Sequence, residues 1–304
     1  MQNILFRADS SSSIGLGHIM RDLVLATQFK DANITFASQD LKGNINHKIV
    51  ESGYKVEILK SSDKKELAKL IKKLNIELLV IDNYKIKYKQ EKYLKEKTGV
   101  KIFALDDTYE KHYCDILLNH NISANPKKYK TKVPPLCKLR CGSRYTLLRE
   151  EFYREKNRKY KKNNNHKTLF MAIGGTDHSN INISILKVLK TFSNIEVNLV
   201  TTKANKHLKE LKRYVKNKRW VNLHIDSKKI AKLMKKSDGA IVTPSVSVNE
   251  VHFLELPLIA IQTASNQKNI FSYLKKNRYL TLNKFRKKEL KKKIKILIEV
   301  RKSA

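Results

Sequence analysis

The sequence predicts an α/β protein made of two domains, each with a parallel sheet covered by helices on both faces, and three observations carry that prediction. Short apolar runs alternate with amphipathic stretches whose apolar residues recur at three- and four-residue spacing, as in βαβ units. The alternation occurs twice, on either side of the polar stretch at residues 154–167. The chain, at 304 residues, also has the length of two domains of ~150 residues.

In the first half, strands are expected at residues 3–7, 34–37, 56–59, 78–82, 101–104 and 116–118, with helices at 19–29 and 64–73 among the connections. Residues 154–167, REKNRKYKKNNNHK, lose all periodicity and read as a linker or boundary loop, which sets the domains at 1–155 and 156–304. The second half then repeats the architecture without repeating the sequence. Strands are expected at 168–173, 195–201, 221–224, 240–242 and 258–261, and helices from about 180, at 230–236 and from 248. In the Lys-rich tail, Leu290, Ile294, Leu297 and Ile298 fall at helical spacing. That stripe suits a terminal helix packed on the fold, or one resting on an anionic membrane surface.

Sixty-four Lys and Arg against 28 Asp and Glu give a formal charge of +36. Twelve of the basic residues are Arg and 52 are Lys, spread along nearly the whole chain without a nucleic-acid-binding module. Solvated helix faces account for this pattern, and no nucleic-acid partner is expected. A basic surface does favour an anionic substrate. No run approaches the ~18–20 apolar residues of a membrane span, and the N-terminus has no signal-peptide pattern. Cys114, Cys137 and Cys141 read as free thiols of a reducing cytoplasm, with no zinc or other metal expected.

Polar motifs follow the expected strands with some regularity, at the ends where open parallel sheets bind ligands. They are the loop from Asp9 to His18, Asp82-Asn83-Tyr84, Asp106-Asp107, Gly174-Gly175-Thr176-Asp177, TPSVSVNE at 243–250, and Ser265-Asn266-Gln267. Each one alone also fits a turn or a helix cap. There is no Walker A sequence, and Gly15-Leu16-Gly17 lacks the third glycine of a dinucleotide fingerprint, which argues against P-loop ATPases and nicotinamide enzymes. Gly174-Gly175-Thr176 and the Ser245/Ser247 loop suit a nucleoside diphosphate, and Glu250 suits a ribose diol. His18, at the start of a helix, is placed where the macrodipole disfavours the imidazolium, as a general base requires. A capping or packing histidine fits the same position.

The stretches FRADSSSSIGLGHIMRDLVLA, LLVIDNYKI, CDILLN, RCGSRYTLLREEFY, IGGTDHSN, VNE and SNQ together resemble the UDP-2,4-diacetamido-2,4,6-trideoxy-β-L-altropyranose hydrolases of pseudaminic acid biosynthesis. That family is similar in turn to the MurG-type glycosyltransferases, which implies a GT-B-like arrangement of two Rossmann-like domains with parallel sheets facing a cleft. The resemblance implies hydrolysis of the anomeric bond to UDP with inversion, without cofactor or metal, by a cytoplasmic monomer. It makes His18 the general base, with Tyr84 and Asn266 beside the sugar and Gly17 in the loop that approaches it. UDP would fall to Gly174, Thr176, Asp177, Ser245, Ser247, Asn249 and Glu250, with Arg149 and Gln267 as further contacts. A glycosyltransferase of the same fold, transferring a UDP-linked amino sugar to an acceptor, is the alternative.

Overall fold

The computed structural model describes residues 1–161 and 166–299. It separates into two compact units that divide between Leu147 and Leu148.

In the first unit the elements are β1 (Gln2–Ala8), α1 (Gly17–Ala26), β2 (Ala32–Gln39), α2 (Asn46–Glu51), β3 (Lys55–Leu59), α3 (Lys64–Lys73), β4 (Leu78–Asp82), α4 (Tyr88–Thr98), β5 (Lys101–Leu105), β6 (Ile116–Asn119) and β7 (Lys138–Cys141). The sheet is parallel throughout, in the order β3-β2-β1-β4-β5-β6-β7. Because β1 and β4 are buried on both faces, they read as unbroken apolar runs rather than alternating ones. Leu5, Leu79 and Ile81 pack with Leu67 and Ile71 of α3 on one face, whereas Ile4, Phe6 and Val80 pack with Ile19 and Leu25 of α1 on the other. The chain leaves β1 for β2 and β3 on one side and returns to β4 on the other. The topological switch point therefore lies between β1 and β4, whose last residues pair as Ala8 with Asp82.

The second unit has α5 (Glu150–Lys156), β8 (Lys167–Ala172), α6 (Asn182–Leu189), β9 (Ile195–Thr201), α7 (Leu208–Val215), β10 (Val221–Ile225), α8 (Ile230–Lys236), β11 (Gly239–Val242), α9 (Val246–Phe253), β12 (Leu258–Ile261), α10 (Lys268–Lys276), β13 (Leu280–Leu282) and α11 (Lys287–Glu299). Its sheet, also parallel, has the order β10-β9-β8-β11-β12-β13, which puts the switch point between β8 and β11.

Two differences from the sequence reading have physical causes. The unit boundary comes before α5 rather than at 155/156, because α5 is held within the second unit. There Lys156 Nζ donates to the Phe253 carbonyl at 2.6 Å, and the Glu151 carboxylate accepts the Ala231 amide at 3.3 Å. Of the expected linker, residues 162–165 lie outside the described residues. Strands β7 and β13 were not anticipated, since both are short edge strands with half-buried residues and no clear apolar run.

The tail helix packs on its own unit: Leu290, Ile294 and Leu297 are buried in the core with Ile241 and Ile259. Among the described residues no helix is long and apolar enough to cross a membrane. Gly239, which opens β11, lies against this helix, and a Cβ there would meet Leu297 Cγ and Cδ2 at 3.0 Å. Gly239→Val is expected to destabilise the fold by about 1–3 kcal/mol through overpacking. Leu297→Ala in the same chain should recover part of that loss in urea titrations. A tail helix that does not dock would leave Gly239→Val neutral.

Candidate active site

The β1–α1 loop turns at Gly15, whose φ of +91° is left-handed and suits glycine. Gly17 has no such requirement. It opens α1, it is exposed, and a Cβ there would meet nothing within 4 Å, so the space beside it is open. His18 follows on the first turn of α1 and is 7% exposed. On a helix, residues three apart share a face, which places Arg21 beside His18.

Both side chains converge on Asp82 at the end of β4. His18 Nδ1 lies 2.7 Å from Asp82 Oδ1. Arg21 grips the same carboxylate in a two-point fork, with Nε to Oδ2 and Nη2 to Oδ1 both at 2.5 Å. Burial favours the neutral acid of Asp82, but the Arg21 charge and the His18 contact outweigh it and hold the pKa well below the carboxylate range. An ionised carboxylate only accepts hydrogen bonds, so the proton of a neutral His18 sits on Nδ1 and leaves Nε2 as the basic nitrogen. Arg21 Nη2 also lies 3.3 Å from His18 Nδ1, but the shorter carboxylate contact decides the tautomer. Asp82 thus sets the tautomer of the imidazole.

Arg21 extends a second arm, Nη1, to Asp107 Oδ2 at 3.1 Å. Asp107 Oδ1 in turn accepts the Tyr84 hydroxyl at 2.8 Å, and the Tyr84 ring meets His18 edge-on with centroids 4.9 Å apart. Burial and the Asp107 charge raise the Tyr84 pKa above that of an ordinary phenol. Its proton is committed to Asp107, so the oxygen offers lone pairs, not a donor, to anything bound. The neighbouring Asp106 holds the loop instead. Its carboxylate accepts from the Thr108 and Tyr109 amides and the Tyr129 hydroxyl. Burial opposes ionisation of Asp106, but contacts from His112 and Tyr129 lower its pKa to about 2. Behind Tyr84, Asn83 donates to Asp9 at 2.7 Å, and Asp9 is clasped by the buried Arg7 at 2.6 and 2.8 Å. This ties the β4 loop to the end of β1.

Two buried groups complete the surroundings. Asp22 is fully buried, and its carboxyl oxygens have no partner among the described residues. Burial and the Asp82 charge push its pKa well up, which makes it a neutral acid. His120 is pushed down to about 3 by burial and the Arg21 charge, so it too is neutral.

The second unit gathers its own loops at its switch point. Gly174, with φ +72°, leads from β8 toward α6. Thr202 lies so close to Gly175 that a Cβ there would sit 2.9 Å from Thr202 Cγ2. Thr176 is half-buried in this loop, but Asp177 is buried and turned inward, where it accepts the Ile181 amide at 3.2 Å near the start of α6. Ser245 precedes α9, with its hydroxyl 3.1 Å from that of Thr243; Ser247 is half-buried and Asn249 buried one turn on. Arg149 bridges two carboxylates, with Nη1 at 2.7 Å from Glu151 and Nη2 at 3.3 Å from Glu250. After β12, Asn266 is exposed, while Gln267 folds back so that its Oε1 accepts the Thr263 amide at 2.8 Å. Gln267 therefore closes its own loop, and His178 joins that loop to the β8–α6 loop through Thr263 O at 3.2 Å.

Of the expected residues, Gly17, His18 and Tyr84 come together in the first unit, and Asn266 belongs to the second. Asp82 and Asp107 stood in the strand-end motifs without an assigned role, and Arg21, Asp22 and His120 were not singled out. The spacing of His18 and Arg21 was a usable signal, but nothing in the sequence marks Asp22 or His120.

Two parallel-sheet units with ligand-type loops at both switch points define a GT-B-like protein, and solved structures agree. Acinetobacter baumannii MurG superposes with a TM-score of 0.65 at 9% identity, over 100% of this chain and 96% of that one. Anabaena HepE, solved in complex with UDP and glucose, gives 0.62 at 11% identity, over 98% and 90%. No family model matches the chain. A Campylobacter jejuni UDP-2,4-diacetamido-2,4,6-trideoxy-β-L-altropyranose hydrolase is 42% identical over 277 residues, covering 91% of this chain and 97% of the relative. The chain belongs to that hydrolase family. A Methanocaldococcus jannaschii protein, MJ1062, is 28% identical over 88% of this chain and 57% of its own length.

Burial pushes Glu250 up to about 7 from its usual 4.5, although Arg149 draws it down. The folded chain therefore holds this proton more tightly than the unfolded chain, and the associated stability is lost as pH rises from 4.5 through 7. The full effect is of order ~3 kcal/mol. Glu250→Gln should flatten this part of the stability profile, seen as a smaller drop in Tm between pH 5 and pH 8.

Proposed function

We propose that this chain hydrolyses UDP-2,4-diacetamido-2,4,6-trideoxy-β-L-altropyranose with His18 as the base that activates water. The reaction follows from the family; the 2.7 Å contact between His18 Nδ1 and Asp82 carries the mechanism. With Nδ1–H pointed at Asp82, Nε2 takes a proton from water as the water oxygen bonds to the anomeric carbon. The bond from that carbon to the UDP oxygen breaks, and UDP leaves with the electron pair. Attack from the face opposite UDP inverts the anomeric centre, as in inverting glycosidases. Asp82 stabilises the imidazolium that forms, the part a buried aspartate plays in a hydrolase triad. Tyr84, with its proton held by Asp107, faces the sugar or the water as an acceptor.

The nucleotide falls to the second unit. The amides of the Gly174–Thr176 turn and the start of α9 at Ser245 and Ser247 suit a diphosphate, since helix N-termini and turns present N–H groups to anions. In this reading Glu250 accepts from the ribose with Arg149 beside it, and Asn266, exposed after β12, meets the sugar.

The purified chain is expected to release UDP and free sugar from this substrate without an acceptor and with EDTA present, and NMR should show the inverted anomer first. A need for an acceptor alcohol would overturn the hydrolase reading. His18→Asn and Asp82→Asn should each lower kcat by about 10²–10⁴-fold while UDP affinity, measured by calorimetry, stays within about twofold. Full turnover in His18→Asn would remove the base assignment.

A further inference from the structure

The five side chains His18, Asp82, Arg21, Asp107 and Tyr84 form a closed circuit. His18 meets Asp82 at 2.7 Å, Asp82 meets Arg21 at 2.5 Å, Arg21 meets Asp107 at 3.1 Å, and Asp107 meets Tyr84 at 2.8 Å. The Tyr84 ring then returns to His18 in an edge-on contact. From this circuit we infer that Arg21 and Asp107 are positioning residues that couple the water-activating pair to Tyr84 and set the charge into which the proton is taken. The inference rests on His18 being the base.

Two features of the geometry support it. Tyr84 is 46% exposed, so packing alone does not hold its ring against His18. The Asp107 carboxylate does, from the far side of a buried Arg21 whose side chain is 7% exposed. The charges also close. Within the circuit, Asp82 and Asp107 carry two negative charges against one positive charge on Arg21. With His18 neutral the circuit is one charge negative. When Nε2 takes the proton from water, the circuit becomes neutral. Asp82 is spent on its fork with Arg21, and Asp107 supplies the second negative charge that offsets the positive charge gained at Nε2 during the reaction.

Asp107 is the residue to test, because its side chain is 23% exposed and replacing it leaves no fully buried charge alone. Asp107→Ala should lower kcat about tenfold or more, with KM and UDP affinity little changed. Tyr84→Phe added to Asp107→Ala should cost little beyond the single change, a non-additivity expected only if the two residues act together. In 15N-histidine spectra of Asp107→Asn, which keeps the shape of the side chain, the His18 Nδ1–H signal should weaken or shift. These spectra decide the matter if Asp107→Ala does not fold. Wild-type kcat in Asp107→Ala, strictly additive losses, or an unchanged His18 signal would each overturn the inference. His18→Asn, assayed in parallel, separates the two ideas. If it is active, the base reading falls; if it is inactive while Asp107→Ala is wild type, only the circuit falls.

Discussion

The first unit's site depends on a buried carboxylate. Asp82 sits at the end of β4 and is 1% exposed, where an ionised oxygen pair without partners would cost several kcal/mol. The two-point fork from Arg21 and the contact from His18 make ionisation possible there, and ionisation makes Asp82 a pure acceptor. From that one condition follow the tautomer of His18 and the direction in which Arg21 extends toward Asp107. Truncating Asp82 would leave the Arg21 charge buried and half-paired, so the pair also bears on how α1 is seated against β4.

The parallel sheet explains why this chemistry collects where it does. Ala8 pairs with Asp82 at the ends of β1 and β4, and the chain leaves these two strands toward opposite sides. The gap between their loops is covered by no crossover helix. The second unit repeats the arrangement between β8 and β11, with different residues. One switch point carries a buried ion network suited to moving a proton. The other carries turns and helix starts suited to holding a phosphate ester. In the comparisons, structures 9–12% identical share the fold and the 42% identical relative shares the family. A fold of this kind hosts many reactions, and the site distinguishes them.

The net charge of +36 leaves little trace in either core. Both are built from Leu, Ile, Val, Phe and Ala, and lysines of α3 and α11 lie outside the buried stripe formed by Leu67, Ala68 and Ile71 or by Leu290, Ile294 and Leu297. The buried basic residues Arg7 and Arg21 are arginines with carboxylate partners. A planar fork can satisfy a buried carboxylate at two points, which a lysine cannot.

By itself the sequence determined the α/β class, the order of most strands and helices, and the polar loops that follow the strand ends. Residues 78–82, 195–201, 230–236 and 258–261 were read with the bounds the structure shows, because apolar period is a local property set by burial. His18 and Tyr84 were legible through a motif pattern. Strands β7 and β13 were not, because an edge strand owes its existence to the neighbour it pairs with. The same holds for what the side chains do. Asp106 and Asp107 are adjacent and alike on paper, yet one secures its loop and the other joins Arg21 to Tyr84. Asp177 ties its loop to the residue before α6, Gln267 closes its own loop, and Arg149 is divided between Glu151 and Glu250. Tertiary structure alone decided these roles, because a charged side chain's role depends on burial and on partners that lie 61 or 86 residues away in the chain.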